Sequence, residues 1–125
     1  MENLLLERAI VNLVANMVDT GILRPEIRNH SDFGRICFPE DMYAVGKWKN
    51  IRLGYKGKPK NLSFQDILAI ARTAKMPLSD LILRANIMIE KGWRLSDDIC
   101  VPGKKNEEQE SGAAPENTQT DVRTA

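Results

Sequence analysis

Apolar residues along this chain recur with the period of an α-helix. In the first such stretch, from about residue 3 to residue 19, the shared face is formed by Leu6, Ile10, Leu13 and Met17. No stretch alternates apolar and polar residues with period two for long, as a half-buried strand would. The pattern therefore predicts an all-α protein, a compact bundle of four to five short helices.

Glycine, proline and capping residues predict where the later helices begin and end. Serine suits a helix N-terminus, proline suits the first helical turn, and glycine commonly follows the last turn. The predicted boundaries are Ser31 as the cap of a short helix, Pro39 and Gly54 at the two ends of the next, Ser63 and Pro77 around a fourth, and Ser79 and Gly92 around the last, which spans residues 79–91.

The composition changes near residue 102. Residues 103–125 contain no aromatic side chain and have Val122 as their only branched aliphatic residue. Such a segment buries too little apolar surface to offset the entropy lost on ordering. We therefore predict a helical domain over residues 1–102 and a disordered acidic tail over residues 103–125.

The net charge of +1 hides an uneven distribution of charge. The chain has 18 Lys and Arg against 17 Asp and Glu, yet residues 42–65 contain six basic residues and no acidic one, with Tyr43, Trp48 and Tyr55 among them. A basic stretch is the electrostatic footprint that binding to phosphates requires. A solvated, lysine-rich loop would have the same composition, so charge alone leaves both interpretations open.

The second half of the chain resembles a known family of DNA-binding domains. From residue 63 to residue 82 it has a serine cap, a large apolar residue, an apolar pair, an Ile-Ala dipeptide and, after a tight turn, Ser79-Asp80-Leu81. This order resembles the last two helices of lambda-repressor-like (Xre-type) helix-turn-helix domains. Upstream, Ile51 stands three residues before Gly54, as at the end of the family's recognition helix. The resemblance covers roughly residues 43–82.

The resemblance implies a transcriptional regulator that binds double-stranded DNA, and relatives of this type often dimerise. The predicted helix 39–53 would enter the major groove, with Val45, Trp48 and Ile51 packed inward. Lys47 and Asn50 would reach base edges, where asparagine suits adenine and lysine suits guanine, unless they merely solvate the helix. The predicted DNA-binding residues are Lys47, Lys49, Asn50, Arg52, Lys56, Lys58 and Lys60. The apolar helix 79–91 is the candidate contact for a homodimer.

A second interpretation is a non-enzymatic adaptor or inhibitor, phage- or antitoxin-like, built on a degenerate helix-turn-helix scaffold. Glu40 and Asp41 lie at the helix end that normally approaches DNA, where their charge repels phosphate. Residues 31–38 also lack the usual features of the family's second helix. Both observations favour the adaptor, whereas the acid-free segment 42–65 favours DNA.

Catalysis and metal binding are not expected. His30 has no nucleophile at a matched spacing and is interpreted as a surface loop histidine. Cys37 and Cys100 are too few for a disulfide scaffold or, with one histidine, a four-ligand zinc site. We therefore predict no enzyme activity, no metal and no cofactor. No apolar run approaches the roughly 18 residues of a membrane span, so we expect a reduced, cytoplasmic protein with no membrane partner.

Overall fold

The computed structural model describes residues 2–54, 58, 59 and 61–101 of the 125-residue chain. The elements of this part are helical, which confirms the predicted all-α bundle. They are α1 (Glu2–Asp19), α2 (His30–Cys37), α3 (Ala44–Leu53), α4 (Phe64–Thr73), α5 (Leu78–Glu90) and a final 3-10 turn (Leu95–Asp97). The predicted tail over residues 103–125 lies outside the described residues, as do Lys56 and Lys60. None of the helices described is long and apolar enough to cross a membrane.

The long helix α1 forms the centre of the bundle. It packs against α5 along one side and against α2 and α3 along another. The core contains large apolar side chains from all five helices, because burial of apolar surface is the main favourable contribution to folding. The most buried of these are Val11, Val14, Phe33, Trp48, Ile51, Ile70 and Leu81. The rings of Phe33 and Trp48 lie 4.4 Å apart between their centroids, which joins α2 to α3 inside the core.

The predicted N-cap Ser63 and the predicted helix ends at Gly54 and Gly92 are confirmed. The Ser63 hydroxyl accepts the Asp66 N–H at 3.0 Å, and the Asp66 carboxylate accepts the Ser63 N–H at 3.3 Å, which together make a capping box. Gly21 and Gly92 have positive φ angles of 80° and 110° just beyond α1 and α5. At both ends the amide after glycine bonds back to a carbonyl five residues earlier, so both helices end in a Schellman motif.

Three predicted helix starts are wrong. The helix expected from Pro39 begins at Ala44, because the Asp41 carboxylate accepts the Tyr43 N–H at 2.8 Å and holds residues 38–43 in turns. α2 is capped by Asn29, whose side chain accepts the Asp32 N–H at 2.9 Å, and not by Ser31. The last helix begins at Leu78 with Pro77 as its N-cap, so Ser79 lies in the first turn and caps nothing.

A buried ion pair joins both ends of the described chain to α3. The Arg8 side chain is 1% exposed, and its guanidinium donates to both Asp98 carboxylate oxygens, at 2.5 and 2.9 Å. It also donates to the carbonyl oxygens of Ile51 and Arg52 in the last turn of α3, at 2.6 and 2.8 Å. The Asn12 amide completes the site by donating to Asp98 at 2.9 Å. The segment around Asp98 is therefore held beside the C-terminal end of α3.

Candidate nucleic-acid interface

The orientation of α3 is set by a close crossing with α2 at Gly34. A Cβ atom at Gly34 would lie 2.9 Å from the Ala44 carbonyl oxygen and 3.1 Å from the Trp48 Cβ. Those distances are too short for any side chain, so glycine allows the two helices to approach. The α3 residues on this side, Ala44, Trp48 and Ile51, are buried. The opposite side of α3 consequently faces outward.

The outward face of α3, which consists of Val45, Gly46, Lys49 and Asn50, contains no acidic residue. The prediction that Val45 packs inward is wrong, since the side chain is 37% exposed. Residues three apart are separated by 300° around an α-helix, so Val45, Trp48 and Ile51 drift around the axis and do not share one face. Ala44, four residues before Trp48, takes the inward place instead.

Lys47 makes contacts within the fold. Its Nζ lies 3.3 Å from an Asp66 carboxylate oxygen on α4, 4.0 Å from Asp41, and 4.3 Å from the centroid of the Phe38 ring. Its side chain is 28% exposed. An ammonium with a carboxylate and a ring face as neighbours is already compensated electrostatically. Lys47 therefore fixes α3 against α4, and it reaches the outer face only by giving up these contacts.

Arg52 also turns toward the fold. Its guanidinium lies 5.9 Å from the centroid of the Trp48 ring, and burial lowers the pKa of this guanidinium to about 10. The group remains charged at neutral pH. Its Nε is the single buried side-chain nitrogen or oxygen without a hydrogen-bond partner among the residues that the structure describes. Arg52 thus contributes positive charge at the edge of the face, close to the core.

Lys58 lies at the C-terminal end of α3. Gly54, which ends the helix, has a φ of 74°, and a Cβ there would lie 2.4 Å from the Lys58 carbonyl oxygen. The chain therefore returns to the end of α3 after the intervening residues, and only glycine permits this approach. Of the predicted DNA-binding residues, the structure places Lys49, Asn50 and Lys58 in exposed positions.

His30 differs from its sequence interpretation as a surface loop histidine. It is the first residue of α2 and is half-buried. The Trp48 indole N–H donates to its Nδ1 at 3.1 Å, and its Nε2 lies 2.9 Å from an Asp19 carboxylate oxygen. These partners suit a neutral ring with its proton on Nε2. Burial and the nearby Arg52 charge lower the pKa of His30, and Asp19 opposes them only in part.

Two open grooves flank the start of α3. One, of about 570 Å³, is lined by Asp41, Tyr43, Gly46, Lys47 and Asn50. The other, of about 610 Å³, is lined by Cys37, Phe38, Pro39, Glu40, Asp41, Met42, Lys47 and Arg72. Burial raises the pKa of Cys37 to about 11, so this cysteine stays a protonated thiol and a weak nucleophile. Within the described part of the chain, no group of three His, Cys, Asp or Glu residues is placed to hold a metal ion.

The residues that position this surface were not singled out in the sequence. Gly34, Asp66 as the partner of Lys47, and the Arg8–Asp98 pair each act across elements that are distant in the chain. Of these, only Gly34 had a signal in the sequence, as a small residue among larger ones in α2.

Comparisons with family models, with curated proteins and with solved structures found no match for this chain.

Proposed function

We propose that this protein binds double-stranded DNA through the outward face of α3 and regulates transcription. One observation carries the proposal: α3 packs one face on α2 and presents, on the other, a face with a lysine, an asparagine and no acidic residue. A helix exposed in this way fits the major groove of DNA, which is about 12 Å wide. The charge of the surrounding chain supports the proposal as well, because this face belongs to segment 42–65, which has six basic residues and no acidic one.

The exposed residues divide into two roles. The Asn50 side-chain amide can pair with the major-groove edge of adenine. Its NH₂ group donates to N7, and its oxygen accepts from the N6 amino group. Lys49 and Lys58 are exposed cations that suit phosphate oxygens. Lys56 and Lys60 belong to the same basic segment and are proposed phosphate contacts on sequence alone. Lys47 would serve by holding α3 in place.

The test is the affinity of the full chain for a pool of random duplexes, measured by fluorescence anisotropy at several salt concentrations. We expect log K to fall linearly with log salt, by about 0.9 for each phosphate neutralised. Lys49→Gln and Lys58→Gln should each reduce that slope by about one. The matched control is Lys91→Gln, since Lys91 is exposed just beyond the end of α5.

Sequence readout needs a separate variant. Once a preferred duplex has been selected from the pool, Asn50→Ala should weaken binding to it by about 1–3 kcal/mol and leave the salt slope unchanged. Absence of binding at low salt, or equal effects of the Lys49 and Lys91 changes, would exclude the DNA-binding function.

A protein-binding adaptor is the second candidate, and one observation favours it. Met42 and Tyr43 are 85% and 73% exposed, directly after Glu40 and Asp41 in the loop before α3. Exposed apolar side chains beside acidic ones are typical of protein-binding surfaces more than of phosphate-binding ones. On this hypothesis Tyr43→Ser abolishes partner binding while Lys49→Gln leaves it intact, which is the reverse of the outcome expected for DNA.

A further inference from the structure

The chain contains an acidic segment that is complementary in charge to the α3 surface. Residues 106–121 contain five carboxylates and no basic residue: Glu107, Glu108, Glu110, Glu116 and Asp121. Residues 42–65 contain six basic residues and no acidic one. Lys47 and Arg52 face the fold, and Lys104 and Lys105 precede the acidic segment. The attraction therefore acts between the five carboxylates and the exposed cations Lys49 and Lys58, and it is strongest at low ionic strength.

The described structure ends beside the basic surface. The Arg8 guanidinium donates on one side to Asp98 and on the other to the carbonyl oxygens of the last turn of α3. The Cys100 N–H donates to the Asp98 carboxylate at 3.1 Å, and the Val101 N–H donates to the Asp98 carbonyl oxygen at 3.0 Å. The last described residues therefore lie near the C-terminal end of α3, where Lys58 also lies, because the Arg8 guanidinium bridges Asp98 and that end of the helix.

The length of chain after this point is sufficient to reach the whole α3 face. The five residues 102–106 span at most about 17 Å when extended. Helix α3 has 10 residues and is therefore about 15 Å long. The first carboxylates can thus meet Lys58, and the later ones Lys49. Neither lysine forms a salt bridge among the described residues.

We propose that the acidic segment 106–121 binds across Lys49 and Lys58 and competes with DNA phosphates for this surface. The competition with DNA rests on the proposed function, whereas the intramolecular contact does not. A tethered segment acts at an effective concentration of the order of millimolar, so even weak contacts compete with phosphates of random sequence. A DNA site that also satisfies Asn50 would displace the segment more readily. The segment thereby lowers the apparent affinity of the surface for DNA, so that only the tighter sites are occupied at a given concentration of the protein.

The contact is tested first without DNA. The full-length chain is treated with a carbodiimide, which joins a lysine amine to a touching carboxylate, and the monomer is analysed by peptide mass spectrometry. We expect cross-links from Lys49 and Lys58 to Glu107, Glu108, Glu110 or Glu116, and their loss at about 0.5 M salt, where charges are screened within a few ångströms. Cross-links from the control residue Lys91 at equal yield, or none from Lys49 and Lys58, would overturn the proposal.

The competition is tested with a full-length variant in which the five acidic side chains are replaced by their amides, Glu→Gln at the four glutamates and Asp121→Asn. Its dissociation constant for random duplex should be about 3–10-fold lower than that of the parent chain at 50 mM salt, and within about 2-fold at 300 mM. An unchanged dissociation constant at 50 mM, with DNA bound by both chains, overturns the competition. If neither chain binds DNA while the cross-links form, the contact stands and the proposed function fails.

Discussion

Replacement of Arg8 by methionine tests whether the buried ion pair holds the bundle together. Arg8 and Asp98 have side chains that are 1% and 2% exposed. Without the guanidinium, the Asp98 carboxylate stays buried and the carbonyl oxygens of Ile51 and Arg52 lose their donors. Removal of one partner from a buried pair costs about 3–5 kcal/mol, a large part of the 5–15 kcal/mol that stabilises a typical domain. We expect Arg8→Met to lower the free energy of unfolding by about 3–5 kcal/mol.

The assay is urea unfolding followed by tryptophan fluorescence, with linear extrapolation to water. The matched control is Lys75→Met, because Lys75 pairs with Glu26 at 2.8 Å and both side chains are 61% exposed. Exposed pairs contribute about 0–1 kcal/mol, so the control should lose less than about 1 kcal/mol. A loss for Arg8→Met no larger than that of the control would show that the buried pair does not stabilise the fold.

The same pair predicts the response to acid. Burial alone would raise the pKa of the Asp98 carboxyl, but hydrogen bonds from Arg8, Asn12 and the Cys100 amide outweigh burial and hold the pKa below its usual range. The stabilisation is therefore fully present above the unfolded pKa, which is about 3.9, and is lost as the pH falls from there through the folded pKa. Urea unfolding at pH 6 and at pH 3 should show this loss in the parent chain and a smaller one in Arg8→Met.

Three further predictions concern local contacts. Gly34→Ala should destabilise the chain by about 1–3 kcal/mol through overpacking. Gly46→Ala should stabilise it by up to about 1 kcal/mol, because a Cβ atom there meets no atom within 4 Å. Thermal unfolding compares the two variants. Because the folded pKa of His30 is lowered, the unfolded state takes up the proton first, so stability should fall as the pH drops below about 6.5. A His30→Gln variant should lack this decrease in a pH series of unfolding curves. Ser63→Ala should cost about 1 kcal/mol through the lost cap, and Ser79→Ala, which removes no cap, should cost less; equal losses in urea unfolding would contradict this.

Two helices show how far local sequence determines this fold. The period of apolar residues predicts α1 to within a residue at its start, and Ser63 predicts the beginning of α4, because both signals act within one or two turns of chain. The start of α3 was placed five residues too early. Pro39 followed by two acidic residues is a good helix N-terminus, but the Asp41 side chain bonds to the Tyr43 N–H and makes turns instead.

The candidate surface was predicted only in outline. The acid-free segment 42–65 indicated where to look, and Lys49, Asn50 and Lys58 are indeed exposed there. Partners elsewhere in the chain decide which cations of this segment are exposed and available to a ligand. Lys47 pairs with Asp66 on α4, and Arg52 turns toward Trp48 and the core.

The sequence by itself determined the fold class, the bounds of α1, the start of α4, the ends of α3 and α5, and the presence of a concentrated positive charge. These follow from residue periodicity, capping and the order of charges, which are properties of neighbouring residues. The tertiary structure decided which face of α3 is outward, through Gly34, and which lysines remain exposed. It also decided that Asp98 lies beside α3, 90 residues away from its partner Arg8. Such contacts are governed by packing and desolvation between distant segments, and no local pattern encodes them.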